Sequence, residues 1–138
     1  MNIRPATQSD MNRVEEIFSL PELMTPTGDY LSAELLSDYL DEKFFLVAED
    51  SGIVVGALFG ERLKNKGIML WLFAVAVNIQ GKGIGNSLLN EFENNMRSED
   101  IEWIMGYAPE KNLQTLKFYK DRGFNIGKTY VEFLKFLQ

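Results

Sequence analysis

Neither cysteine nor histidine occurs among the 138 residues. The first absence excludes disulfides, thiolate metal sites and thiol nucleophiles. The second removes the commonest general base and the commonest metal ligand, so no metal site is expected. Basic blocks are missing too, and the net charge of −6 disfavours nucleic-acid partners. Ordinary solubility charge accounts for that acidity first, with attraction of cationic substrates only a hint. No apolar run approaches the roughly 18 residues of a membrane span, so no membrane association is expected. The stretch Ile68 to Val77 is too short, and its β-branched residues suit a buried strand. The N-terminus has no charged region followed by an apolar one, and a cytoplasmic location is expected.

What remains is the composition of one globular domain spanning 1–138, with 46% hydrophobic content to fill a core. Asn2 to Arg4 reads as a first strand. Ser9 or Asp10 opens a helix to about Ser19, in which Met11, Val14, Ile17 and Phe18 recur at helical spacing. Leu20 to Thr27 is a loop, and Asp29 or Ser32 starts a helix toward Leu40. Phe44 to Glu49 and Ile53 to Glu61 form a hairpin about Asp50-Ser51-Gly52. The strand Ile68 to Val77 follows, then a helix, the strand Ile101 to Tyr107, the helix Asn112 to Arg122, and closing strands at Phe124 to Gly127 and Tyr130 to Leu137.

The most informative stretch is Val75 to Gly85, Val-Ala-Val-Asn-Ile-Gln-Gly-Lys-Gly-Ile-Gly. A strand ends there, a glycine turn follows, and a helix begins with apolar Ile84, Leu88, Leu89, Phe92 and Met96. Glycines permit close backbone approach, and the helix start offers free N–H groups at the positive end of its dipole. Such a turn suits phosphate. A P-loop fails, because Asn86 and Ser87 follow Gly85. The dinucleotide fingerprint fails because its sixth position from Gly81 is Asn86.

The turn does match Gln/Arg-x-x-Gly-x-Gly/Ala through Gln80, Gly83 and Gly85. Downstream, Asn112, Thr115, Phe118, Tyr119, Gly123 and Phe124 follow Asn-x-x-Ala-x-x-Phe-Tyr-x-x-x-Gly-Phe, with Thr115 in place of alanine. In these two motifs the chain resembles the GNAT acetyltransferase superfamily over nearly its whole length, with Ser19 to Asp41 matching only in outline. The resemblance implies an α+β fold: a mixed, mostly antiparallel twisted sheet of six to seven strands flanked by about four helices. It also implies acetyl-CoA as cosubstrate.

Carried over by position, the backbone from Gln80 through Gly81, Lys82, Gly83 and Ile84 to Gly85 would hold the pyrophosphate, with Gln80 or Lys82 reaching its oxygens. Lys82 reads equally as a solvated surface lysine. Phe73, Ala74 and Val75 would pair with the pantetheine arm as an added strand. The Val75 N–H would stabilise the oxyanion. Asn112 reads as a helix N-cap and, by resemblance, contacts the cofactor arm. Tyr119 matches the tyrosine that protonates the departing thiolate, a task its ordinary pKa near ~10 permits. Phe118 reads as core, and Trp71 as core or pocket wall.

The implied reaction is N-acetylation of a primary amine, of a small molecule or a peptide, by direct attack in a ternary complex. The absence of cysteine agrees with that. Protein-lysine acetyltransferases of the family place a glutamate where this chain has Ile68, Met69 and Leu70. Glu61, Tyr107 or a water chain would have to replace that base. Met24, Tyr30, Tyr130 and Glu132 are suited to holding an amine with an apolar tail. The short final segment suggests a shallow acceptor pocket or one completed by a homodimer. A non-catalytic coenzyme A sensor with the same fold is the alternative, and an ATP- or NAD-binding domain of another fold is a third reading.

Overall fold

From Val54 to Gly60 seven consecutive residues are buried, a pattern that requires cover on both faces of the sheet. The computed structural model describes residues 1–137 and supplies that cover. Five strands, β1 (Asn2–Pro5), β2 (Phe45–Asp50), β3 (Ile53–Arg62), β4 (Gly67–Val75) and β5 (Trp103–Gly106), lie in sequence order across one sheet. The first four pair antiparallel, and β5 joins β4 in parallel.

Helix α1 (Met11–Phe18) follows a 3-10 turn over Gln8–Asp10, which Thr7 and Asp10 close with a capping box. With α2 (Ala33–Ser37) it covers one face, where Met11, Val14, Phe18 and Leu36 meet Phe45, Val47, Ala57, Phe59 and Ala74. Helix α3 (Ile84–Ser98) covers the other, setting Ile84, Leu88, Leu89, Phe92 and Met96 against Phe44, Leu46, Leu58, Ile68 and Leu70. Helix α4 (Leu113–Asp121) rests on that layer through the half-buried Phe118 and Tyr119.

The sheet has five strands rather than six to seven. Phe124 to Gly127 and Tyr130 to Leu137 carry strand-like sequence but form no strand, because no ladder partner meets them. Helix α2 is also shorter than its sequence pattern: Ser32 caps it by accepting from the Leu35 N–H at 3.2 Å, and it ends at Ser37.

Candidate active site

β4 and β5 part company halfway along β4. Their parallel register ends at the pair Leu70 and Gly106, while β4 continues beside β3 to Val75. The parting coincides with a β-bulge. Phe59 faces Leu72 and Gly60 faces Leu70, which leaves Trp71 as the extra residue. The bulge reverses the side-chain alternation, so Leu70 belongs to the α3 layer and Leu72 packs on the α1 layer. Trp71 is thereby turned out of the core to 42% exposure, and it forms groove wall.

The open half of β4 presents backbone as well as side chains. The Ala76 N–H donates to the Val55 carbonyl at 2.8 Å. By antiparallel alternation the polar groups of Ala74 then turn toward β3, and those of Phe73 and Val75 toward the space that β5 has left. Ala74 also buries its methyl in the α1 layer. Of the three residues expected to receive a pantetheine arm, Phe73 and Val75 therefore turn their amides away from β3, Phe73 lines the groove, and Ala74 is framework. The Val75 carbonyl is taken by Nε2 of Gln80 at 3.1 Å. Gln80 thus points back at the strand end and ties it to the glycine turn.

That turn stands directly beyond β4. A 3-10 turn over Val77–Ile79 leads to Gly81 and Gly83, whose φ values of +87° and +78° lie in the left-handed region that glycine tolerates. Gly83 is the N-cap of α3, and a Cβ at either glycine would meet nothing within 4 Å. Neither glycine is crowded, and the first N–H groups of α3, at Ile84, Gly85 and Asn86, have no acceptor within the helix. Lys82 is exposed beside them, while the Ile84 side chain is buried in the core. Gly85 joins the turn to the groove: a Cβ there would lie 3.5 Å from the Phe73 ring and 3.8 Å from that of Phe118.

Helix α4 forms the opposite wall. Asn112 caps it, its Oδ1 accepting from the Thr115 N–H at 3.1 Å, and it also lines the groove beside Thr115 and Tyr119. Tyr119 packs among Phe73, Phe118 and Phe124, with ring centroids 6.5, 5.5 and 5.1 Å away. Burial pushes its phenol up to about 12. Among the described residues its hydroxyl makes no hydrogen bond and is not sealed from solvent, and desolvation of the ring keeps the phenol protonated.

Glu61 is exposed near the end of β3, where its Oε1 accepts from Nε1 of Trp71 at 2.9 Å. It stands behind the groove wall rather than in it. Tyr107, leaving β5, lines the groove directly. Met24, Tyr30, Tyr130 and Glu132 are not groove residues. From the segment after α1, Leu20, Glu22 and Leu23 are the contributors. Glu22 is the carboxylate of the lining, and sequence reasoning missed it. It sits in a 3-10 turn over Pro21–Leu23, where no periodicity marks an inward face. Among the described residues no group of three His, Cys, Asp or Glu side chains could hold a metal ion.

A splayed parallel strand pair, a glycine turn beyond the end of one strand and a tyrosine across the gap thus lie together. A profile of the Acetyltransferase (GNAT) domain matches residues 41–126, and the chain belongs to the GNAT acetyltransferase family, as an acyltransferase. Among solved structures it is similar to Ard1 from Thermoplasma volcanium, at 25% identity over 92% of this chain and 84% of that one, with a TM-score of 0.81. The PaiA N-acetyltransferase from Thermoplasma acidophilum, in complex with coenzyme A, matches at 21% identity over 94% and 92% with a TM-score of 0.80. A ribosomal-protein-alanine N-acetyltransferase from Brucella melitensis matches at 23% identity over 91% and 85%, with a TM-score of 0.77.

Proposed function

We propose that this chain moves an acetyl group from acetyl-CoA to a primary amine by direct attack in a ternary complex. The carrying observation is the opened edge of β4, where Phe73 lines a groove whose far wall holds Tyr119 and the Val75 N–H, two residues on, turns to the same side of the strand. Such an edge accepts an amide-bearing chain as it would another strand. The turn at Gly81 and Gly83 fits the other end of the same cosubstrate, since it leaves room for phosphate oxygens against free N–H groups.

In this reading the Val75 N–H hydrogen-bonds the negative charge developing on the thioester carbonyl. Gln80 assists by occupying the neighbouring carbonyl, which fixes the peptide's orientation. Tyr119 gives its proton to the departing sulfur, and burial keeps that proton in place across the physiological range. The incoming ammonium must lose a proton before attack, and Glu61 takes it through water, its carboxylate aligned by Trp71. Glu22 at the groove wall favours amines that carry a second positive charge.

The test is calorimetric titration with acetyl-CoA, with ATP and NAD as controls, followed by thiol release in the presence of an amine panel. Saturable binding of acetyl-CoA alone, with release accelerated by one class of amine, is the expected result. Binding without any turnover would make the chain a coenzyme A sensor. Failure to bind in a folded sample would end both readings.

A further inference from the structure

Helix α4 carries the far wall of the groove, yet the fold holds it lightly. No residue of it is buried. Its rings Phe118 and Tyr119 rest half-buried on the α3 layer, and apolar contact is non-directional, so it defines no particular seat.

The residue that ends the helix supplies one. Arg122 is the C-cap of α4, and it fills a position that the second motif leaves open. Its Nη1 donates to Asn86 Oδ1 at 3.3 Å, and its Nη2 lies 3.3 Å from Glu93 Oε2. Arg97 stands farther off, 3.8 Å from the same oxygen. Asn86 and Glu93 are about two turns apart on one face of α3, so together they fix where the end of α4 lies along that helix. One acceptor alone would leave it free to swivel. The Arg122 side chain is 17% exposed and that of Glu93 23%. Among the described residues no other side chain of α4 or its caps makes a hydrogen bond or ion pair to another element.

The same arginine is tied to Tyr119 through the backbone. The Tyr119 carbonyl accepts from the Arg122 N–H at 3.1 Å and from the Phe124 N–H at 3.0 Å, so both residues belong to one closed turn. On the other side of the link, Asn86 sits in the first turn of α3, among the N–H groups that the acetyl-transfer reading gives to phosphate. A cosubstrate reaching from there to the Tyr119 hydroxyl has its two ends on two helices, and Arg122 joins them.

We propose that Arg122 is a positioning residue for acyl transfer: by engaging Asn86 and Glu93 it sets Tyr119 at the distance from the phosphate turn that brings its proton to the departing sulfur. The inference rests on the acetyl-transfer reading. Ion pairs near the surface add little to stability, so the effect belongs in the rate, where misplacing a reacting group by about 1 Å costs up to ~100-fold.

The test is turnover in a cycle of Arg122→Ala, Tyr119→Phe and the double variant, with acetyl-CoA binding followed by calorimetry. Arg122→Ala should lower kcat by about 10- to 100-fold and leave the acetyl-CoA dissociation constant unchanged. In the Tyr119→Phe background the same substitution should cost nothing further, because no proton remains to be placed. A purely structural arginine would slow both backgrounds alike, and that additivity would overturn the proposal. So would wild-type kcat in Arg122→Ala, or a loss confined to acetyl-CoA binding. A wild type without turnover, or one indifferent to Tyr119→Phe, would end the acetyl-transfer reading or the role of Tyr119 and this proposal with it; both are read before Arg122 is changed. Should Arg122→Ala not fold, Asn86→Ala/Glu93→Ala removes both acceptors from the α3 side and enters the same cycle.

Discussion

Trp71 Nε1 donates to Glu61 Oε1 at 2.9 Å, which fastens the bulged residue of β4 to the outer end of β3. Glu61→Gln keeps an oxygen for that bond and removes only the capacity to take a proton. With Glu61 as the base, kcat/KM at neutral pH should fall by about 10- to 100-fold. The deficit should shrink as pH rises toward the pKa of the amine, because an already neutral nucleophile needs no base. A pH profile that lies on the wild-type curve throughout would assign the proton to Tyr107 or to solvent.

Tyr119→Phe removes a hydroxyl that has no partner among the described residues, so the melting temperature should hold. Turnover should drop by about one to three orders of magnitude with the acetyl-CoA dissociation constant unchanged, as loss of a general acid would require. The sign of the pH dependence follows from burial. Desolvation raises the phenol to about 12, so the protonated donor persists through alkaline pH and is lost only as pH passes that value. A wild-type rate that falls between pH 9 and 10 would therefore need another group.

These two residues show what a single sequence discloses. The place of Tyr119 on the groove wall was legible because it sits at a fixed offset in a local motif, and the cap at Asn112 because a helix cap is a local device. The turn from Gln80 to Gly85 was legible for the same reason. The bulge at Trp71 was not, since a bulge is set by how two strands register and β4 alone looks continuous. Nor could the strand-like text from Tyr130 to Leu137 reveal that it lacks a partner, because strand pairing is long-range and propensity records only fitness for a pleated surface. Glu22 was hidden in a three-residue turn whose orientation depends on the packing of the segment after α1.

Glu22→Gln tests the acceptor side. A single ion pair at an accessible groove wall is worth about 1 kcal/mol or less, which corresponds to about fivefold at most. The Michaelis constant for an amine bearing a second cationic group should rise by that factor with kcat unchanged. A neutral-tailed amine should be indifferent. An equal effect on both amines would mean that the substitution disturbed Leu20 and Leu23 rather than a charge contact.

Far from the groove, Arg4 grips Asp10 through two bonds, Nη1 to Oδ2 at 2.7 Å and Nη2 to Oδ1 at 3.0 Å, and Oδ2 also accepts from the Thr7 N–H at 2.8 Å. This network joins β1 to the start of α1. The Arg4 bond is the largest cause holding the Asp10 carboxyl below its usual range, against the opposing effect of burial. A depressed carboxyl contributes stability that is complete above its unfolded value, near ~3.9, and is lost as pH falls through the folded value. Asp10→Asn should therefore cost about 1.5–3 kcal/mol at neutral pH, the usual worth of a hydrogen bond to a charged group. The gap between variant and wild type in urea titrations should narrow progressively below pH 4. A gap that stays constant down to pH 2 would show that the ionised form is not what holds β1 in place.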